Sequence, residues 1–150
     1  MLNPDFRDML STFIEENVEF LVVGGYAMAV HGLPRATKDL DLWVRTSKDN
    51  GQRVLRALDR FGAPRFDLTV TDLERPGTIY QVGIPPNRVD IITAVDGVQF
   101  EDAWQNRAVV EIEGIRIPVI GRTDLILNKR TAARPQDLLD ADLLETMESE

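Results

Sequence analysis

The run Asp-Leu-Asp-Leu-Trp-Val at residues 39–44 sets the strongest constraint on how this chain folds. Its period of two predicts a β-strand with Asp39, Asp41 and Trp43 on one face and Leu40, Leu42 and Val44 on the other. Strand interiors disfavour Asp, and a carboxylate removed from water is costly without a partner. The apolar face must therefore meet a core, while the acidic face must meet something that accepts negative charge. Two strand steps place the carboxylates about 7 Å apart at the backbone, from where their side chains can converge on a cation. "RVDIIT", residues 88–93, offers a third: Asp90 stands among Val and Ile. Were that strand to lie beside the first, the three aspartates would form one cluster of oxygen donors. Mg²⁺ takes such carboxylates together with water and substrate phosphates. The plainer alternatives are solvated edge-strand carboxylates, or a structural ion pair of Asp90 with Arg88 or Arg35.

The rest of the chain supplies the frame. Phe6, Met9, Leu10, Phe13 and Ile14 recur at helical spacing and predict an amphipathic helix over residues 5–17. "VEFLVVGG" reads as a buried strand ending in two glycines, and "YAMAVHG" as a helix stopped by Gly32 and Pro34. Residues 47–61 start with a Ser cap and line up Val54, Leu55, Leu58 and Phe61, predicting a second amphipathic helix. "TIYQVG" and "RVDIIT" are short strands joined by "IPPN"; "VQFEDAWQNR" is a short helix; "AVVEIEGIRIPVIG" is a hairpin turning at Glu-Gly. A helix over Thr123–Thr131 and one opened by Pro135 complete the order. Strands mixed with helices in this order predict an α/β (α+β) fold, a mixed β-sheet flanked by helices with C-terminal helices. At 150 residues, one domain is expected, its core over about 18–120 and a C-terminal helical segment over about 121–148.

Composition narrows the chemistry. There is no cysteine, which excludes disulfides, thiolate metal sites and a Cys nucleophile. The formal net charge of −8 speaks against bulk DNA binding and suits bound cations or a basic partner. A local exception lies at residues 122–134, where Arg122, Lys129, Arg130 and Arg134 face one acid, Asp124; this basic island leaves local RNA contact open. No basic region followed by an apolar run opens "MLNPDFRDML", and no apolar stretch approaches the roughly 20 residues that span a bilayer. A cytoplasmic location without membrane attachment is expected. "VVGGYAMAVHG", a strand running through Gly24-Gly25 into a helix, lets backbone amides approach a phosphate. Arg35 and Thr37 lie just upstream of the paired aspartates, where they can touch phosphate or cap a loop. His31, the only histidine, is read as structural, and Trp43 and Trp104 as packing.

Taken together, "GGYAMAVHGLPRATKDLDLWV" resembles the first motif of the nucleotidyltransferase fold shared with DNA polymerase beta. There a Gly-Ser or Gly-Gly turn precedes a DxD, and a third Asp comes from a later strand, here "RVDIIT". "LILNKRTAARPQDLLDADLL" is similar to the C-terminal signature of a minimal branch related to abortive-infection and toxin–antitoxin proteins. The resemblance spans about residues 20 to 145, and Gly25 stands where many active members have Ser. It implies that Gly24 and Gly25 cradle a triphosphate, and that Asp39, Asp41 and Asp90 hold Mg²⁺ or Mn²⁺. It gives Asp90 the further task of activating the acceptor hydroxyl. Lys129 would contact phosphate, with Asp137 or Asp140 orienting Lys129 or the acceptor, and Arg134 in support.

The expected activity is therefore metal-dependent transfer of an NMP from an NTP such as ATP to a hydroxyl of RNA, protein or a small molecule, releasing pyrophosphate. One alternative is a catalytically silent nucleotide- or partner-binding member of a toxin–antitoxin type system, with an antitoxin or other protein partner. Another is an acidic cluster that serves folding alone.

Overall fold

In the computed structural model the described residues are 2–34, 38–65, 67–83 and 87–148. Arg35 and Thr37, and most of the "IPPN" turn, lie outside them. The first helix, α1 (Pro4–Glu15), starts with Asn3 accepting a hydrogen bond from the Asp5 amide and buries Phe6, Met9, Leu10 and Phe13. The strand β1 (Phe20–Val23) is buried along its whole length. It is shorter than "VEFLVVGG" suggests, because Gly24 and Gly25 open α2 (Gly24–Val30) instead of ending the strand. β2 (Asp39–Val44) follows, with Leu40, Leu42 and Val44 in the core as the alternation requires. Trp43 is buried as well, edge-on to Phe100, so only the aspartates of that face keep access to solvent.

The helix α3 (Lys48–Phe61) is capped by Ser47, which accepts from the Asn50 amide. Arg60 bridges back to Glu15 and Glu16, tying α3 to α1. A short helix absent from the sequence reading, α4 (Val70–Leu73), is set by a capping box between Thr69 and Asp72. β3 (Ile79–Val82) and β4 (Arg88–Ile92) pair antiparallel. After α5 (Phe100–Gln105), β5 (Ala108–Ile112) and β6 (Ile115–Val119) form the expected hairpin. Its turn residues Glu113 and Gly114 both have positive φ, 52° and 82°, as a two-residue hairpin turn demands. The chain ends in α6 (Arg122–Ala132) packed on α7 (Pro135–Glu148).

The six strands form one mixed sheet in the order β3-β4-β2-β1-β6-β5. β2 runs antiparallel to β1 and parallel to β4, which brings the two acidic strands side by side inside the sheet. Among the described residues, no helix is long and apolar enough to cross a membrane.

Candidate active site

The register of β2 and β4 decides where the carboxylates meet. Asp41 lies level with Asp90, and Asp39 lies level with Arg88. Neighbouring strands at the same level present side chains to the same face, so Asp41 and Asp90 are adjacent like charges, with Asp39 one pleat away. Partial burial, followed by the charges of Asp90 and Asp39, pushes the Asp41 carboxyl up to about 6, against a smaller opposing pull from Arg88. Arg88 forks across the other two: its Nη2 donates to Asp39 at 3.1 Å and its Nε to Asp90 at 3.0 Å. The salt bridge weighed for Asp90 in the sequence thus exists, and it includes Asp39.

Gly24 closes the site from the β1 side. Val23 pairs with Asp41, so the next residue passes directly over that carboxylate. A Cβ built on Gly24 would come within 3.0 Å of Asp41 Cγ and closer still to an oxygen. The backbone there also has φ +71°, which side-chain-bearing residues rarely adopt. The glycine is required twice over: for the turn from strand to helix and for the space that Asp41 occupies.

The opposite wall comes from the C-terminal helices. Lys129 on α6 places its ammonium 3.3 Å from Asp137 and 3.4 Å from Asp140 on α7. Asp140 is fully buried and also accepts from Gln136 at 2.8 Å. Arg134 donates to Asp137 at 2.6 Å, and this bond, ahead of the one from Lys129, holds the Asp137 carboxyl below its usual range. Between the walls lies a cleft of about 540 Å³, lined by Gly24 and Asp41 on one side and Lys129, Arg134 and Asp137 on the other. Asp39, Asp90, Gly25 and Asp140 are not part of that lining: the first two turn toward Arg88, and Asp140 is buried behind Lys129.

The basic island is not a bare patch. Arg130 reaches Asp142 and Glu145, Arg134 reaches Asp137, and Arg122 donates to the carbonyls of His31 and Leu144. The acids of α7 fold back on the bases of α6, a pairing invisible until the two helices are known to be neighbours. His31 faces the carbonyl of Ile120 at 2.7 Å, a structural tie. Sequence reasoning named Arg88 only as a counter-ion and missed the cleft's apolar wall of Ile79, Ile92 and Val95, along with Asp96 and Asn128. Nothing in their local sequence marks them, since the loop after β4 and the face of α6 are brought together by the fold.

Among the described residues, no three His, Cys, Asp or Glu side chains are gathered so as to hold a metal ion. The donor chemistry nevertheless fits a hard divalent cation: carboxylate oxygens only, two of them level on adjacent strands, beneath a glycine that leaves room.

Residues 5–147 match the model of a family described as "Nucleotidyltransferase of unknown function (DUF6036)". The chain belongs to this nucleotidyltransferase family. Solved structures agree on the fold. A candidate nucleotidyltransferase from Thermotoga maritima superposes with a TM-score of 0.60 at 18% identity, covering 99% of this chain and 96% of its own. The lincosamide antibiotic adenylyltransferase LnuA, bound to lincomycin, gives 0.59 at 13%, with 98% of each chain covered. ANT(2")-Ia in complex with adenylyl-2"-tobramycin gives 0.55 at 15%, covering 96% and 91%. No curated protein matches the chain. The mixed sheet flanked by helices is thus that of the nucleotidyltransferases, and the protein is an enzyme of that class with its acceptor unspecified.

Proposed function

We propose that this nucleotidyltransferase moves the NMP moiety of an NTP to an acceptor hydroxyl in a reaction that requires a divalent cation. The observation that carries the reading is the level pairing of Asp90 with Asp41, which lines a cleft whose far wall holds Lys129. Asp41 and Asp90, with Asp39, are the residues that would hold Mg²⁺ or Mn²⁺. When bound, such an ion neutralises charge on the phosphates and lowers the pKa of a hydroxyl.

The chain's own groups divide the remaining work. Gly24 and Gly25 let backbone approach the triphosphate, and Lys129 meets its charge, its ammonium aimed by Asp137 and Asp140. Asp90 accepts the proton of the acceptor hydroxyl. The hydroxyl oxygen then bonds to the α-phosphorus, the bridge between α- and β-phosphates breaks, and pyrophosphate leaves. Two structural relatives are described through adenylyl transfer or an adenylyl product, which makes ATP the first nucleotide to try. The strands that carry the site belong to one six-stranded sheet, and the chain is taken as a single domain.

The test is thermal denaturation with each of the four NTPs, with and without Mg²⁺ or Mn²⁺, on the wild type and on Asp39→Asn/Asp41→Asn. A shift that needs both metal and nucleotide and is lost in the variant is the expected result. No shift with any NTP would sink the reading. Binding without pyrophosphate release across hydroxyl acceptors would favour the catalytically silent alternative.

A further inference from the structure

We propose that Arg88 is a tethered cation that competes with the divalent metal for Asp39 and Asp90. This rests on the metal-dependent reading above and adds a residue to it. The geometry is specific. Arg88 opens β4 level with Asp39 across the parallel pairing and stands two residues before Asp90 on its own strand. Both carboxylates therefore fall on its side of the sheet. The guanidinium meets Asp90 through Nε at 3.0 Å and Nη2 at 3.5 Å, and meets Asp39 through Nη2 at 3.1 Å. A planar fork suits this better than a point charge would.

Charge makes the arrangement a competition. Arg88 carries one positive charge and hydrogen-bonds Asp39 and Asp90, while Asp41, level with Asp90, lines the open cleft. A divalent cation drawn to Asp41 needs oxygens from Asp90 or Asp39, and both are engaged by Arg88. Two of the three carboxylates point at the guanidinium in this arrangement. Arg88 is about a quarter exposed, so it has solvent to swing into when an ion displaces it. In the absence of metal it keeps the acidic strands from repelling one another; in its presence it sets how much cation is needed to open the site.

The experiment measures Mn²⁺ binding directly, by electron paramagnetic resonance of free Mn²⁺ or by calorimetry, on the wild type, Arg88→Gln and Arg88→Lys, with and without ATP. Melting temperatures in EDTA are recorded alongside. Arg88→Gln is expected to bind Mn²⁺ about tenfold more tightly, in proportion to one or two partly exposed charge pairs, and to melt lower in EDTA. Arg88→Lys keeps the charge without the fork and is expected between the two on both scales. If Arg88→Gln does not fold without metal, the lysine variant carries the comparison. Equal or weaker Mn²⁺ binding in the variants, with the wild type binding normally, overturns the proposal and leaves the nucleotidyl-transfer reading intact. Failure of all three proteins to bind Mn²⁺, even with ATP, overturns both.

Discussion

At Asp41 the needs of the fold and those of the site oppose each other. Its carboxyl is raised from 3.8 to about 6, by burial first and by Asp90 and Asp39 next. A folded-state pKa above the unfolded value means that the native protein binds the proton more tightly, so this group's contribution to stability falls as pH rises from about 4 to about 6. Above that window the ionised carboxylate is a net cost. Discounted for its partial exposure, the cost is of the order of 1–2 kcal/mol. Asp41→Asn keeps the shape and removes the charge, so it is expected to melt a few degrees higher than the wild type at pH 7.5. The gain should shrink as pH falls through about 6 and vanish only below the unfolded value of 3.8, where the wild-type carboxyl is protonated in both states. Thermal unfolding of both proteins across that range checks this; a variant less stable at pH 7.5 would show that Asp41 is stabilising as it stands.

At the scale of elements, much was legible in the sequence, for reasons that also mark the limit. Helices α1 and α3 carry their apolar faces at fixed spacing, and α3 has its cap in Ser47. The alternation in β2 gave both faces of that strand correctly, because a strand's period depends on nothing distant. The strand order and the Asp41–Asp90 register are products of tertiary pairing, and local sequence is silent on them. The same limit explains the basic island. Its residues read as a polyanion surface until α7 is seen to lay Asp137, Asp140, Asp142 and Glu145 against α6. This makes Lys129 structural whatever else it does. Its partner carboxylates are 4% and 0% exposed, and removing one member of such a group leaves buried charge without compensation. Lys129→Met is therefore expected to destabilise the protein by about 3–5 kcal/mol in urea unfolding. Adding Asp140→Asn should recover part of the loss, since the two changes act on one network. Unchanged stability in Lys129→Met would mean that the ammonium serves ligand binding alone.

For the molecule as a whole, these ion pairs decide what kind of acceptor can approach. A net charge of −8 repels a polyanion at long range. The cations of residues 122–134 that would offset this locally are already engaged by α7 or by backbone carbonyls. Nucleic-acid affinity comes chiefly from cations that displace counterions from phosphates, and each such contact steepens the dependence on salt. The protein is thus expected to bind neither a transfer RNA nor a 20-base-pair DNA measurably at 150 mM salt, and to gain little at 50 mM. Fluorescence anisotropy with labelled nucleic acids decides it. Tight binding that weakens steeply with salt would mean that the α6–α7 pairs open to a polyanion, and would move the acceptor from small molecules and proteins to RNA. Weak, salt-insensitive binding would place the acceptor among molecules that present a hydroxyl without a chain of phosphates. It would also leave the 540 Å³ cleft between Asp41 and Lys129 as the place to look for it.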